Sequence, residues 1–292
     1  MWDIFVSGDM KMLPATMVFL SATNFRGKFV NATSSGLASG ATLVDAVLQG
    51  LLEIVEHDGW LIGQSNPVEL PLIDYDTVNN KRIVEVIEKI QSLGYRVISR
   101  DYSNDINIPV IRTWIINPEN YTNYATSGFG ASLSAEMALE RSITEAVQAV
   151  GGYISPKIKR YESPNMRDMV YERNSIYGLY YFQQKDFQVS NSTPIKSMNE
   201  FPKDNSVSVK EMLDNVVTKI KKAIPNSDIL FYDLTRRSIG IPVVRTIVTG
   251  DIQRMSLPLI TVSPRLMQFQ KTYGYSDSIP KYESLYMGPY PH

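Results

Sequence analysis

The chain has 292 residues, 43% of them hydrophobic and 20% charged, and 29 Lys and Arg against 30 Asp and Glu leave a formal net charge of −1. That balance suits one large globular domain or two ordinary ones, and it gives no general attraction to nucleic acid or anionic lipid. Cysteine is absent and histidine occurs only at His57 and His292, which removes disulfides, thiolate chemistry and sulfur-ligated zinc and argues against a histidine-rich metal site or a Ser-His-Asp triad.

The opening, MWDIFVSGDMKML, has an early acidic residue and no long apolar run, so it does not read as a signal peptide. No stretch reaches the ~18–20 apolar residues of a membrane span. A cytoplasmic protein is expected. From Ser34 to Asp58, SSGLASGATLVDAVLQGLLEIVEHD reads as a small-residue loop with Gly36 and Gly40, an N-cap at Thr42, and a helix. On a helical wheel Asp45, Gln49, Glu53 and Glu56 share one sector, opposite Leu43, Val47, Leu51 and Ile54. An amphipathic helix follows in KRIVEVIEKIQSLG, with Ile83, Val86, Ile87 and Ile90 at helical spacing. Two strands come next, YRVISRD ending at Asp101 and INIPVIRTWII from Ile106 to Ile116.

The pattern then recurs. GFGASLSAEMALERSITEAVQ from Gly128 lies on the earlier loop and helix at a constant offset of 92, so that Thr42 meets Ser134, Glu53 meets Glu145 and Glu56 meets Gln148. Arg141, Glu145 and Gln148 fall on one face of this second helix. Residues from about 151 to 206, rich in tyrosine, read as an insertion over the surface or at a partner contact, with Tyr153, Tyr161, Tyr171, Tyr177, Tyr180 and Tyr181 as interface packing. The helix VKEMLDNVVTKIKKAI, the strand DILFYD ending at Asp233 and the strand IGIPVVRTIVT complete the second copy. The proline-bearing strands share Ile-Pro-Val-Ile/Val-Arg-Thr, with proline at the strand start where no interior ladder bond is lost. Asp101 and Asp233 read as turn caps, and Arg112 and Arg245 as either cleft-facing groups or structural ion pairs.

These elements give a single mixed α/β domain over 1–292, made of a first repeat at about 30–118, a second at about 126–250 and a tail at 251–292. Two readings of the polar helix faces stand side by side. Each is a solvated surface, with Arg141 and Glu145 as an i, i+4 pair, or together they belong to a nucleotide–magnesium site, with backbone N–H groups before the helix and oxygen ligands on it.

The segment from Ser34 to Asp58 resembles the Ser-Asn-Gly-x-Ala-x-Gly…Glu-x-x-Glu stretch of the YcaO-domain family. ASLSAEMALERSITEAVQ is similar to that family's Arg-Ala-Leu-Thr-Glu-Ala-x-Gln helix, and DLTRRSIGIPVVRTIVTG to its Asp-Leu-Thr…Ile-Pro-Val-x-Arg strand. The resemblance runs in family order from about Leu13 to Gly250. It implies a YcaO-like fold and an enzyme that uses ATP to phosphorylate a backbone amide oxygen of a peptide or protein for attack by a nucleophile. By the same resemblance Glu53 and Glu56 hold Mg2+, and Arg141, Glu145, Gln148 and Arg245 contact ATP. It assigns no catalytic residue. His57 stands where the family has arginine or glutamine and reads as a histidine at a helix C-terminus.

Nothing before Ser34 matches the family's earlier Glu-x-x-Glu-Arg helix, so a partner chain is expected to bring that nucleotide-binding half. The end, GPYPH, has Pro289 and Pro291 but no third proline, which tilts the implied product from azoline to thioamide and the implied partner to a TfuA-type protein. An azoline-forming component and a non-catalytic scaffold are the alternatives. No nucleic acid or membrane partner is expected, and a homodimer is compatible with the sequence.

Overall fold

The structure, a computed structural model, describes residues 2–6, 9–19, 33–118, 125–154, 181–256, 259–260 and 262–287. The chain divides into two compact units, one of residues 1–62, 104–108 and 204–280 and the other of 63–103, 109–203 and 281–292.

In the first unit a five-stranded sheet runs β2 (Asp9–Leu13), β1 (Trp2–Val6), β9 (Ile229–Asp233), β10 (Val243–Val248), β3 (Leu37–Ser39), with every neighbour antiparallel. Period-two alternation divides β10 between its faces. Arg245 and Ile247 lie on the face that carries Leu230, Tyr232 and the short helix α1 (Ala15–Val18), whereas Thr246 meets Gly50 of helix α2 (Leu43–Ser65) on the other. Helix α5 (Val209–Ala223) buries Val216 and Ile220 completely and starts on a Ser208 cap, and α6 (Pro264–Thr272) starts on Ser263.

In the second unit the sheet runs β7 (Ala125–Ala131), β6 (Val110–Ile116), β5 (Arg96–Asp101), β4 (Leu72–Ile73), β8 (Ile195–Lys196), antiparallel except for the parallel β4–β8 pair. Its two faces are both covered. Val97 and Ile111 pack with Ile83 and Ile87 of α3 (Lys81–Ser92) and with Leu139 and Ile143 of α4 (Ala135–Ile154). Ile98, Trp114 and Ile116 pack on Phe182 and Phe187. This explains why all of β6 is buried and why its sequence reads as a nearly unbroken apolar run.

The expected helices and proline-led strands form: the strands begin one residue after Pro109 and Pro242. Pairing cuts across the copies as read along the chain. β3, in the first copy, pairs with β10 of the second, and β7, in the second, pairs with β6 of the first. Two further features depart from expectation. The stretch expected as an open loop is β3 at residues 37–39, and the later part of the expected surface insertion is core. Phe182 and Asp186 have no exposed surface, and Phe187, Met198 and Phe201 are buried. The aromatic side chains there pack on Ile98, Trp114 and Ile116, on the sheet face opposite α3 and α4. Of the insertion tyrosines, Tyr161, Tyr171, Tyr177 and Tyr180 and the side chain of Tyr153 lie outside the described residues. Tyr181 stacks on Tyr286 at 3.7 Å and donates to the Gln64 carbonyl.

Candidate functional site

In the first unit the helix that carries Glu53 and Glu56 is fixed at its start by a reciprocal cap. The Thr42 N–H and hydroxyl both donate to Asp45, at 2.9 and 2.8 Å, and the Asp45 N–H donates back to the Thr42 hydroxyl at 3.2 Å. The glycines before it serve close packing. Gly36 has φ +82°, and a Cβ there would lie 2.3 Å from the Thr246 carbonyl oxygen; at Gly40 it would lie 2.5 Å from the Ala46 nitrogen. Their N–H groups are engaged as well: Gly40 donates to the Pro242 carbonyl at 3.2 Å and Gly36 to Glu53 at 3.3 Å.

Glu53 and Glu56 are half-buried, one turn apart on α2. Arg245 is nearly buried, and its guanidinium donates to the Thr33 and Met17 carbonyls at 2.7 and 3.2 Å. Burial lowers its pKa from the ordinary arginine value, and the charge of Glu53 offsets part of that fall. The structure thus brings Arg245 and Glu53 together. His57 is mid-helix, eight residues before the end of α2 at Ser65, so the expectation of a helix C-terminus is corrected; Gly59 and Gly63 do not stop a helix this deeply buried. Its Nδ1 is 2.9 Å from the Ser35 hydroxyl, and burial together with the charge of Arg245 lowers its pKa to about 4. It is a neutral imidazole at physiological pH.

The second unit repeats much of this. A Cβ at Gly130 would lie 2.1 Å from the Ala138 carbonyl oxygen and 2.7 Å from Arg141 Cβ; at Gly128 it would lie 2.3 Å from the Ala146 nitrogen and 2.7 Å from Glu145 Cβ. The glycines therefore set how closely α4 presses Arg141 and Glu145 to β7. Glu145 accepts from the Phe129 N–H at 2.6 Å, as Glu53 does from Gly36. Although Glu145 is exposed as a residue, its carboxyl is tucked against the strand. Burial raises its pKa, opposed by the Phe129 N–H and by the charge of Arg112. Arg141 donates to the Ala131 carbonyl at 3.3 Å, and Gln148 is exposed. Arg112 is buried and takes the structural role: it lies 3.6 Å from Asp186, with its guanidinium carbon 3.9 Å from the Trp114 ring centre.

Asp101 and Asp233 are turn caps, accepting from the N–H of Ser103 and Thr235 at 2.9 and 2.8 Å. Two buried carboxylates carry networks that no local pattern signals. Asp58 takes both guanidinium nitrogens of Arg265 at 2.8 Å, together with Asn104 and the Gln253 N–H at 2.6 Å. Asp186 accepts from Tyr102 at 2.7 Å and from Trp114 at 2.9 Å, beside Lys185 at 3.3 Å.

Oxygen donors on Glu53 and Glu56 fit a hard cation such as Mg2+, which is commonly held by one or two carboxylates plus phosphate oxygens. One backbone N–H takes only part of a carboxylate's acceptor capacity. Among the described residues no group of three or more His, Cys, Asp or Glu gathers where it could hold a metal ion. No described helix is long and apolar enough to cross a membrane.

Two sheets with helices pressed on them through glycine, carrying helical carboxylates beside strand arginines, define a mixed α/β protein. A model of the YcaO cyclodehydratase family, described as ATP- and Mg2+-binding, matches residues 1–250, and the chain belongs to that family. It is 25% identical over 254 residues to an uncharacterized protein of Methanothermobacter thermautotrophicus, across 84% of this chain and 63% of that one. It is 31% identical over 154 residues to an uncharacterized protein in the tfuA 3′ region of Rhizobium leguminosarum bv. trifolii, across 49% of this chain and 36% of that one. It is 35% identical over 121 residues to the Escherichia coli ribosomal protein S12 methylthiotransferase accessory factor YcaO, across 40% of this chain and 20% of that one. The chain thus spans less than two thirds of the length of these relatives.

Among solved structures it resembles a heterocyclase in complex with substrate and cofactor, with TM-score 0.79 and 20% identity over 99% of this chain and 38% of that one. It also resembles YcaO from Methanopyrus kandleri bound with AMPPCP and Mg2+, with TM-score 0.60 and 23% identity over 77% of this chain and 57% of that one. The expected family and the mixed α/β, YcaO-like fold hold, and the family's cofactors are ATP and Mg2+.

Proposed function

We propose that this chain is one component of an ATP- and Mg2+-dependent enzyme that activates a backbone amide of a peptide or protein. The observation that carries this reading is the half-buried pair Glu53 and Glu56, one turn apart on α2, with the charge of Glu53 felt by Arg245, in a chain of an ATP- and Mg2+-binding family. Bound ATP and Mg2+ would supply the phosphoryl group that turns the amide oxygen into a leaving group. Glu53 and Glu56 hold the cation. Arg245 offsets phosphate charge, and Arg141, Glu145 and Gln148 contribute to holding the nucleotide. Their task is positioning and charge stabilisation, which dominate phosphoryl transfer. Glu53, fixed by the Gly36 N–H, and Arg245, fixed by two backbone carbonyls, are held before any ligand arrives.

We assign the family's Glu-x-x-Glu-Arg helix, which the residues before Ser34 do not match, to a partner chain. Sulfur is the favoured nucleophile, giving a thioamide. The likeness to a protein of a tfuA 3′ region supports that choice and a TfuA-type partner. The likeness to a heterocyclase supports the azoline alternative, and mass spectrometry of a treated peptide separates the two as exchange of oxygen for sulfur against loss of water.

The test is peptide-dependent phosphate release by the chain co-purified with its partner. Glu53→Gln is expected to lower it by ~10²–10³-fold, the scale of losing one transition-state electrostatic contact. Unchanged release would refute the enzymatic assignment for this chain and leave a scaffold that binds peptide or partner.

A further inference from the structure

Within the second unit, a cavity of about 720 Å3 has Val68, Tyr181, Phe187 and Val189 as its apolar lining and Arg96, Lys185 and Glu69 as its charged lining. We propose that it binds an apolar carboxylate, with the carboxylate on Lys185 and Arg96 and the apolar stem against the remaining wall. Lys185 is nearly buried, which is rare for lysine without full pairing. Of its three N–H donors one reaches Asp186 at 3.3 Å and one, at the limit, Tyr102 at 3.5 Å; no acceptor among the described residues takes the third. Arg96, an exposed residue of the lining, gives one N–H to the Phe187 carbonyl at 3.1 Å, which leaves most of its five donors available.

The charge around the cavity points the same way. Asp186 is fully buried and is shared by Lys185, Arg112 and Arg100, all three of them buried cations. Glu69, a lining residue 3.7 Å from Arg100, is 41% exposed and accepts from the Thr193 hydroxyl at 2.6 Å, while Glu145 answers part of the charge of Arg112. Buried positive charge therefore exceeds buried negative charge. Burial lowers the Lys185 ammonium to about 8, with Asp186 opposing that fall and Arg112 and Arg100 adding to it. A single negative charge entering beside Lys185 would be stabilised by short ionic hydrogen bonds. Phosphate would find no use for the apolar wall, and its second negative charge would add to the repulsion from Glu69. That wall is preformed, since Arg100 clamps it through the Asp186 and Gln188 carbonyls at 2.9 and 2.7 Å, and Tyr181 is stacked on Tyr286.

The test is calorimetric titration of the full chain with N-acetylphenylalanine, N-acetylphenylalanine amide and inorganic phosphate at neutral pH. The free acid is expected to bind more than about tenfold more tightly than the amide, the scale of one hydrogen bond to a charged group. Lys185→Met should abolish that preference. Because this variant leaves Asp186 short of a buried partner, Arg96→Gln at the exposed side of the cavity is the second variant, expected to weaken the acid about tenfold and leave the amide unchanged. Equal affinity for acid and amide, no binding of the acid, phosphate binding as tight as the acid, or an Arg96→Gln protein with unaltered affinity would each overturn the proposal.

Discussion

Asp58 and Arg265 form a bidentate pair across 207 residues of sequence, with Asp58 fully buried. Arg265 also pairs with Asp105, so its charge stays met without Asp58, but the Asn104 amide and the Gln253 N–H lose their buried acceptor, and Asp58→Ala should cost about 1–3 kcal/mol. Urea unfolding would show this as a lower midpoint. His57 offers a second test. Its pKa is lowered from 6.5 to about 4, so the unfolded chain takes up a proton that the folded chain refuses. Stability is intact above pH 6.5 and falls as pH drops toward about 4, by about 3 kcal/mol in all. His57→Gln should flatten that part of the stability–pH curve, and an unaltered slope would contradict the buried neutral imidazole. At this scale the sequence was legible where chemistry is local: the Asp101 and Asp233 turns involve partners two residues away. Asp58 and Asp186 were not, because their partners come together only through tertiary packing.

Helices announced themselves by apolar spacing, and the two proline-led strands by their shared motif. β3 did not, since the three residues Leu37, Ala38 and Ser39 are too few to carry a readable alternation. The flanking Gly36 and Gly40 read as an anion loop in the sequence, and the structure shows that both also permit a close helix–strand approach. Gly130→Ala tests such an approach. A methyl group 2.1 Å from the Ala138 carbonyl must push α4 off β7, at a cost of about 1–3 kcal/mol by thermal or urea unfolding. A fully stable variant would mean that α4 can slide without strain. The segment around Gln183–Phe187 was misread as surface because its polar letters hide a buried Asp186 whose charge is met by Lys185 and Arg112.

For the whole chain, the duplicated pattern was legible as a linear repeat, but the exchange of β3 and β7 between copies was not, because strand partners are chosen in three dimensions. The resemblance carried the family and its cofactors. The roles of Glu53, Glu56, Arg141, Glu145, Gln148 and Arg245 rest on Mg2+-dependent nucleotide binding, and that is where the account is most exposed. The direct measurement is the affinity of Mg2+–AMPPCP for the chain co-purified with its partner, compared with the Glu53→Gln, Glu56→Gln double variant. Loss of two metal carboxylates should weaken binding by at least about tenfold and abolish its dependence on Mg2+. Equal affinity and the same Mg2+ dependence in both proteins would contradict the proposed site.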